Sequence, residues 1–164
     1  MKEGVKMNIK IMSRKRVEQF CEKAMEQQTA LISITDYDNS FAVIKNPPQY
    51  LLQLAFNDVP VGDGFFEEMG RQLSQKEVAN LEERYHSITD SQVSQIVDFY
   101  NAIKDKAQLL ILQCEHGQSR SAAIAAAIME YETANGIDIF ANDWYCPNKS
   151  IFRKVLSALK TASR

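Results

Sequence analysis

The sequence predicts an α/β domain in which a central, twisted, mostly parallel sheet is flanked by helices. Short runs of β-forming residues alternate along the chain with stretches of helical periodicity, the pattern of a layered α/β fold. One run, residues 108–113 (Gln-Leu-Leu-Ile-Leu-Gln), is apolar on both faces, as strands inside a parallel sheet are. The chain has 164 residues, 45% of them apolar and 24% charged. That is ordinary for a globular protein, and a single domain spanning residues 1–164 is expected, burying roughly 70% of the surface its unfolded form exposes.

Strands are expected over residues 8–12, 30–35, 41–45, 50–56 and 108–113. Between the first two, residues 14–27 set Val17, Phe20, Cys21 and Ala24 on one helical face, which makes Cys21 a small core residue. Ser74-x-x-Glu77 is a capping box, followed by a stripe of Val78, Leu81, Tyr85 and Ile88, with His86 on the surface of that helix. Thr89-x-x-Gln92 is a second box, with Asp90 part of the helix start, and it leads into Val93, Ile96, Val97, Tyr100 and Ile103. Residues 121–129, rich in alanine, form a strong helix able to pack closely on a sheet.

Charge narrows the range of partners. The formal net charge is −2, whereas nucleic acids and anionic membranes recruit clustered Lys and Arg. Arg14-Lys15-Arg16 is the one basic run, and it reads as a solvated helix start. Neither partner is expected. Residues 1–15 lack the continuous apolar core of a secretory signal, and the apolar run 122–129 is too short to span a bilayer; a cytoplasmic location is the expectation. Three cysteines without framework spacing, Cys21, Cys114 and Cys146, suit free thiols in a reducing compartment. His116 stands near Cys114, yet no further Cys or His cluster completes a metal site, so no metal and no cofactor are expected.

The segment Cys114-Glu115-His116-Gly117-Gln118-Ser119-Arg120-Ser121 joins the apolar strand to the alanine-rich helix. A turn of this kind directs backbone N–H groups into one concavity, to which the helix dipole adds positive potential. Gly117 lets the backbone curl, and Arg120 offers a forked donor for two oxygens of a phosphate. The same field favours the thiolate of Cys114, a nucleophile competent toward phosphorus. Ser121 is placed to hydrogen-bond the sulfur. An arginine six positions after a cysteine arises by chance about once in twenty; buried strand, Cys, loop glycine, Arg-Ser and helix together are far more specific.

This loop resembles the signature of the protein tyrosine phosphatase superfamily (Cys, five residues, Arg, then Ser or Thr), and the dual-specificity branch most of all. Residues 30–36, the strand ending at Phe56-Asn57-Asp58, the helix over 93–104, and Pro147-Asn148 followed by Ile151, Phe152 and Leu156 are similar to the family in order. The resemblance implies a protein tyrosine phosphatase-like fold and a cysteinyl-phosphate intermediate, with the amides of residues 115–119 and Arg120 binding substrate. It also implies an aspartic acid that protonates the leaving oxygen. Asp58, at a strand end, is the choice and Asp63 the rival. Two departures stand out: Gln113 replaces the family's usual His before the nucleophile, and the interval from Asp58 to Cys114 is long, consistent with an inserted helix over 74–87.

A phosphorylated protein or peptide, phosphotyrosine above all, is the implied substrate. Residues 115–119 contain no Lys or Arg, which disfavours phosphoinositides and RNA 5′ ends. A phosphate-binding module without turnover, and sulfur transfer or arsenate reduction, are the rivals of other kinds. Trp144 and Tyr145 are expected to pack the end of the fold, with bordering the pocket as the alternative. Cys146 is expected as a free thiol beside the turn at Pro147, a disulfide with Cys114 being the alternative.

Overall fold

The computed structural model describes residues 6–26, 28–59, 70 and 72–163. Four strands, β1 (Asn8–Ser13), β2 (Thr29–Thr35), β3 (Tyr50–Ala55) and β4 (Leu109–Cys114), form one sheet in the order β1-β4-β2-β3. Every pairing is parallel, with Ser13 opposite Cys114 and Thr35 opposite Ala55. All four strands therefore end at one edge of the sheet, where parallel α/β sheets bind ligands.

Six helices complete the described fold: α1 (Arg14–Phe20), α2 (Gln75–Arg84), α3 (Asp90–Ile103), α4 (Arg120–Thr133), α5 (Ile137–Phe140) and α6 (Lys149–Ala162). No helix among the described residues is long and apolar enough to cross a membrane. Alternation along the strands divides the apolar residues between two cores. Ala30, Ile32 and Ile34 of β2 and Leu110, Leu112 and Cys114 of β4 join α3, α4 and α6 in the larger core. Leu31 and Ile111 face the other way, onto Met12, Val17, Cys21 and Ala42. Every residue of α4 from Arg120 to Ile128 is buried; its alanines let it sit against both β4 and α6.

The second capping box is formed, and Val93, Ile96, Val97, Tyr100 and Ile103 are all buried, as expected; Asp90 opens α3. Cys21 is buried as expected. The helix it belongs to is shorter than 14–27, however. The side chain of Asn46 donates to the carbonyls of Cys21 and Glu22 at 3.0 Å each, and these bonds stop α1 at Phe20. Phe20 and Ala24 are consequently exposed.

Residues 41–45 are not a strand. Arg14 donates to the carbonyls of Ser40 (2.8 Å) and Phe41 (2.9 Å), and Glu18 accepts from the N–H of Val43 (3.0 Å). Side chains of α1 thus satisfy backbone groups that a sheet neighbour would otherwise pair. The capping box of α2 is also formed, but this helix buries none of its residues. It stops before Tyr85, which is exposed, and Ile88 is buried beyond its end. His86 is off the helix as well, at φ +54°, with its ring stacked on Tyr37 at 3.7 Å. An ion pair, Lys154 to Glu82 at 2.7 Å, ties α2 to α6.

Candidate active site

The loop from Cys114 to Arg120 lies where β4 ends at the shared edge of the sheet. Gly117 has φ +67°, and a Cβ there would stand 2.7 Å from both the carbonyl carbon of Met12 and the nitrogen of Ser13. The loop presses onto the end of β1 so closely that only glycine fits. The N–H of Arg14 donates to the Glu115 carbonyl at 3.1 Å and fixes the same contact. On the other side, the Gln118 carbonyl accepts from the Cys146 N–H at 2.9 Å.

At the start of α4, Ser119 supplies no side-chain cap, whereas Ser74, Thr89 and Asn148 cap α2, α3 and α6. Uncapped N–H groups at a buried helix start are what an anion binds. Cys114 is 2% exposed, and its Sγ lies 3.0 Å from Ser121 Oγ. The guanidinium of Arg120, also buried, gives Nη1 to the Phe56 carbonyl (2.8 Å) and to Asp36 Oδ1 (2.7 Å). Its Nε is buried and has no hydrogen-bond partner among the described residues, a condition that costs about 1–3 kcal/mol until an acceptor arrives.

Asp58 follows β3 at this edge and is exposed. Its Oδ1 accepts from Asn148 Nδ2 at 2.8 Å, and the same Nδ2 donates to the Val59 carbonyl at 3.0 Å. Asn148 also caps α6, through Ile151 N–H at 3.1 Å, and its own N–H reaches the Ser119 carbonyl at 3.4 Å. One asparagine thus links Asp58 to the phosphate-type loop. Asp63 lies outside the described residues.

No family model and no curated protein matches the sequence, but solved structures match the fold. PTPMT1 in complex with PI(5)P superposes with a TM-score of 0.50 at 13% identity, over 95% of this chain and 92% of that one. The chain shares the fold of PTPMT1. Human DUSP28 (TM-score 0.49, 16% identity, 94% and 93% covered) and the human tyrosine phosphatase-like serine/threonine/tyrosine-interacting protein (0.48, 18%, 83% and 79%) are further similar structures.

Within this fold, Gln113 is buried on the face of β4 opposite Cys114. Its Oε1 accepts from Ser33 Oγ at 2.6 Å and its Nε2 donates to the Ile34 carbonyl at 3.3 Å, so the residue braces β4 against β2. His116 is exposed in the loop. Trp144 does not pack the end of the fold; it is 65% exposed and borders a groove with His116 and Gln118. Cys146 is a free, exposed thiol.

Asp36 and Asn148 are the functional-site residues that sequence reasoning left without a role. Asp36 directly follows β2, and in an all-parallel sheet the residue after each strand joins the same edge. That adjacency was the available signal. Asn148 gave none beyond its place after Pro147, because its partners Asp58 and Ser119 are distant in sequence.

Proposed function

We propose that the protein is a cysteine-dependent phosphomonoester hydrolase acting on phosphorylated protein side chains, phosphotyrosine foremost. The observation that carries this reading is Arg120, whose Nη1 is held by Asp36 and Phe56 while its buried Nε lacks an acceptor among the described residues, beside Cys114 and an uncapped helix start. Two phosphate oxygens would take Nε and the loop amides.

The Cys114 thiolate attacks phosphorus and forms the S–P bond as the P–O bond to the substrate breaks. Asp58 gives its proton to the departing oxygen. The resulting cysteinyl-phosphate is attacked by a water that Asp58, now ionised, deprotonates; the S–P bond breaks, inorganic phosphate leaves and the thiolate is regenerated. Ser121, 3.0 Å from Sγ, stabilises the sulfur as it leaves. Gly117 shapes the cradle, and the amides of Glu115, His116, Gln118 and Ser119 line it. The steps require neither metal nor cofactor.

A second reading, a phosphoinositide as substrate, takes its support from PTPMT1, whose structure holds PI(5)P. Against it, Glu115 puts a carboxylate in the loop and residues 115–119 hold no cation of the Lys or Arg type.

The test is hydrolysis of para-nitrophenyl phosphate in chelator and reductant, followed by phosphopeptides and short-chain phosphoinositides. Wild type is expected to turn over, Cys114→Ser and Arg120→Ala to be inactive, and Asp58→Ala to lose about 10²- to 10⁴-fold in rate. An inactive wild type that still binds phosphate or tungstate would make the protein a phosphate reader instead.

A further inference from the structure

Trp144 is the only tryptophan in the chain and is 65% exposed. An indole left in water forgoes the stabilisation its large apolar surface could provide, so a tryptophan held outward calls for a partner. Its backbone is held: the Trp144 backbone N–H donates to Asn142 Oδ1 at 3.0 Å, its carbonyl accepts from Gln118 Nε2 at 3.2 Å, and the Cys146 N–H two residues on donates to the Gln118 carbonyl at 2.9 Å. Gln118 belongs to the loop between Cys114 and Arg120. The Trp144 backbone is therefore fastened to the phosphate cradle by hydrogen bonds on both sides of Gln118.

Trp144, His116 and Gln118 border a groove of about 460 Å³ that continues from the loop to the start of α1. Its charges balance: Arg14 and Lys15 stand against Glu18 and Glu115, with Arg14 already bonded to Glu18 at 3.3 Å and 3.7 Å from Glu115. Such a groove has no net attraction for a second phosphate. The one large apolar side chain in its described lining is Trp144, whose flat indole stands at the rim of the loop where the phosphorylated side chain would sit.

We infer that Trp144 is a specificity-determining residue, a platform for an apolar or aromatic side chain one to three positions from the phosphorylated residue of a peptide substrate; this rests on the phosphopeptide reading above. Residues of an extended peptide advance about 3.3 Å each, so a neighbour within three positions reaches the loop's rim while the phosphate occupies the cradle. Because the Trp144 backbone is fixed before substrate arrives, little ordering is needed on binding.

The experiment compares two phosphotyrosine peptides free of tryptophan, identical except for phenylalanine or glycine at the flanking positions. Wild type is expected to prefer the phenylalanine peptide about tenfold in kcat/KM, the ratio that burial of one aromatic side chain against an exposed platform supports. The ratio should fall to about one in Trp144→Ala and persist in Trp144→Phe. With Cys114→Ser protein, which retains the indole, the phenylalanine peptide is expected to shift the single tryptophan emission to shorter wavelength, and inorganic phosphate to leave it unchanged.

Equal turnover of both peptides, with emission unmoved on binding, overturns the role of Trp144 and leaves the phosphatase reading standing. Failure of both peptides to be cleaved or bound overturns the phosphopeptide reading and the platform with it. Turnover of a short-chain phosphoinositide in place of the peptides keeps the enzyme and overturns the platform.

Discussion

Asp36 and Arg120 form an ion pair of 2.7 Å between a carboxylate that is half exposed and a guanidinium that is 5% exposed. Together with the Phe56 carbonyl on the same nitrogen, it sets the plane of the arginine before any ligand binds. A fork held by one nitrogen presents its remaining donors in a defined direction.

Asp36→Asn is expected to act mainly on binding. A pair with one half-exposed partner is worth about 1 kcal/mol, which is roughly fivefold in affinity. KM for para-nitrophenyl phosphate should rise by about that factor while kcat changes less, and Asp36→Glu should restore part of the loss. A fall in kcat at unchanged KM would remove Asp36 as a positioning residue for the bound phosphate.

Asn148 joins two roles that substitution can separate. Serine is as good a helix N-cap as asparagine, but its shorter side chain does not span the contacts to Asp58 and Val59. Asn148→Ser should unfold within about 0.5 kcal/mol of wild type yet lose about 10- to 100-fold in kcat through a misplaced acid. Asn148→Ala should lose the cap too, lowering stability by about 1 kcal/mol. Urea titrations beside steady-state kinetics check both; an Asn148→Ser enzyme with wild-type kcat would detach Asp58 from the asparagine.

Gln113 is predicted to matter for stability more than for the reactivity of Cys114. In Gln113→Leu the buried hydroxyl of Ser33 loses its 2.6 Å partner, a loss of about 1–3 kcal/mol. Adding Ser33→Ala should recover most of it, giving a clear coupling in a double-mutant cycle. Additive single and double effects would contradict the pairing.

Stability should fall in alkali. Burial pushes the Cys21 thiol up, and burial followed by a hydrogen bond to Glu132 pushes the Tyr100 hydroxyl up. Both groups stay protonated in the folded protein at pH values where the unfolded chain releases its protons. Unfolding is then favoured as pH rises. The contribution is complete below about pH 8.5 and declines above it, more steeply past about pH 10, the ordinary thiol and phenol values. Cys21→Ala should flatten the curve between these two points. A wild-type stability unchanged from pH 8 to 10.5 would refute the assignment.

What the sequence by itself determined is what near neighbours along the chain control. Both capping boxes close within three residues, the stripe of α3 repeats every turn, and the loop from Cys114 to Ser121 is framed by a strand and a helix whose own composition specifies them. The roles offered for Cys114, Arg120 and Gly117 were legible for that reason. Where partners lie far apart in the chain, local pattern pointed elsewhere. Residues 41–45 have the look of a strand, but Arg14 and Glu18 bind their backbone; α1 stops early because Asn46 takes the carbonyls of Cys21 and Glu22 just past its end. Asp36 on Arg120, Asn148 on Asp58 and the outward Trp144 were likewise decided only by the tertiary structure. Parallel strands bring the residues that follow each of them to a single edge, and which side chains meet there depends on strand order, β1-β4-β2-β3, a choice that buried apolar area makes across the whole chain and that no single segment encodes.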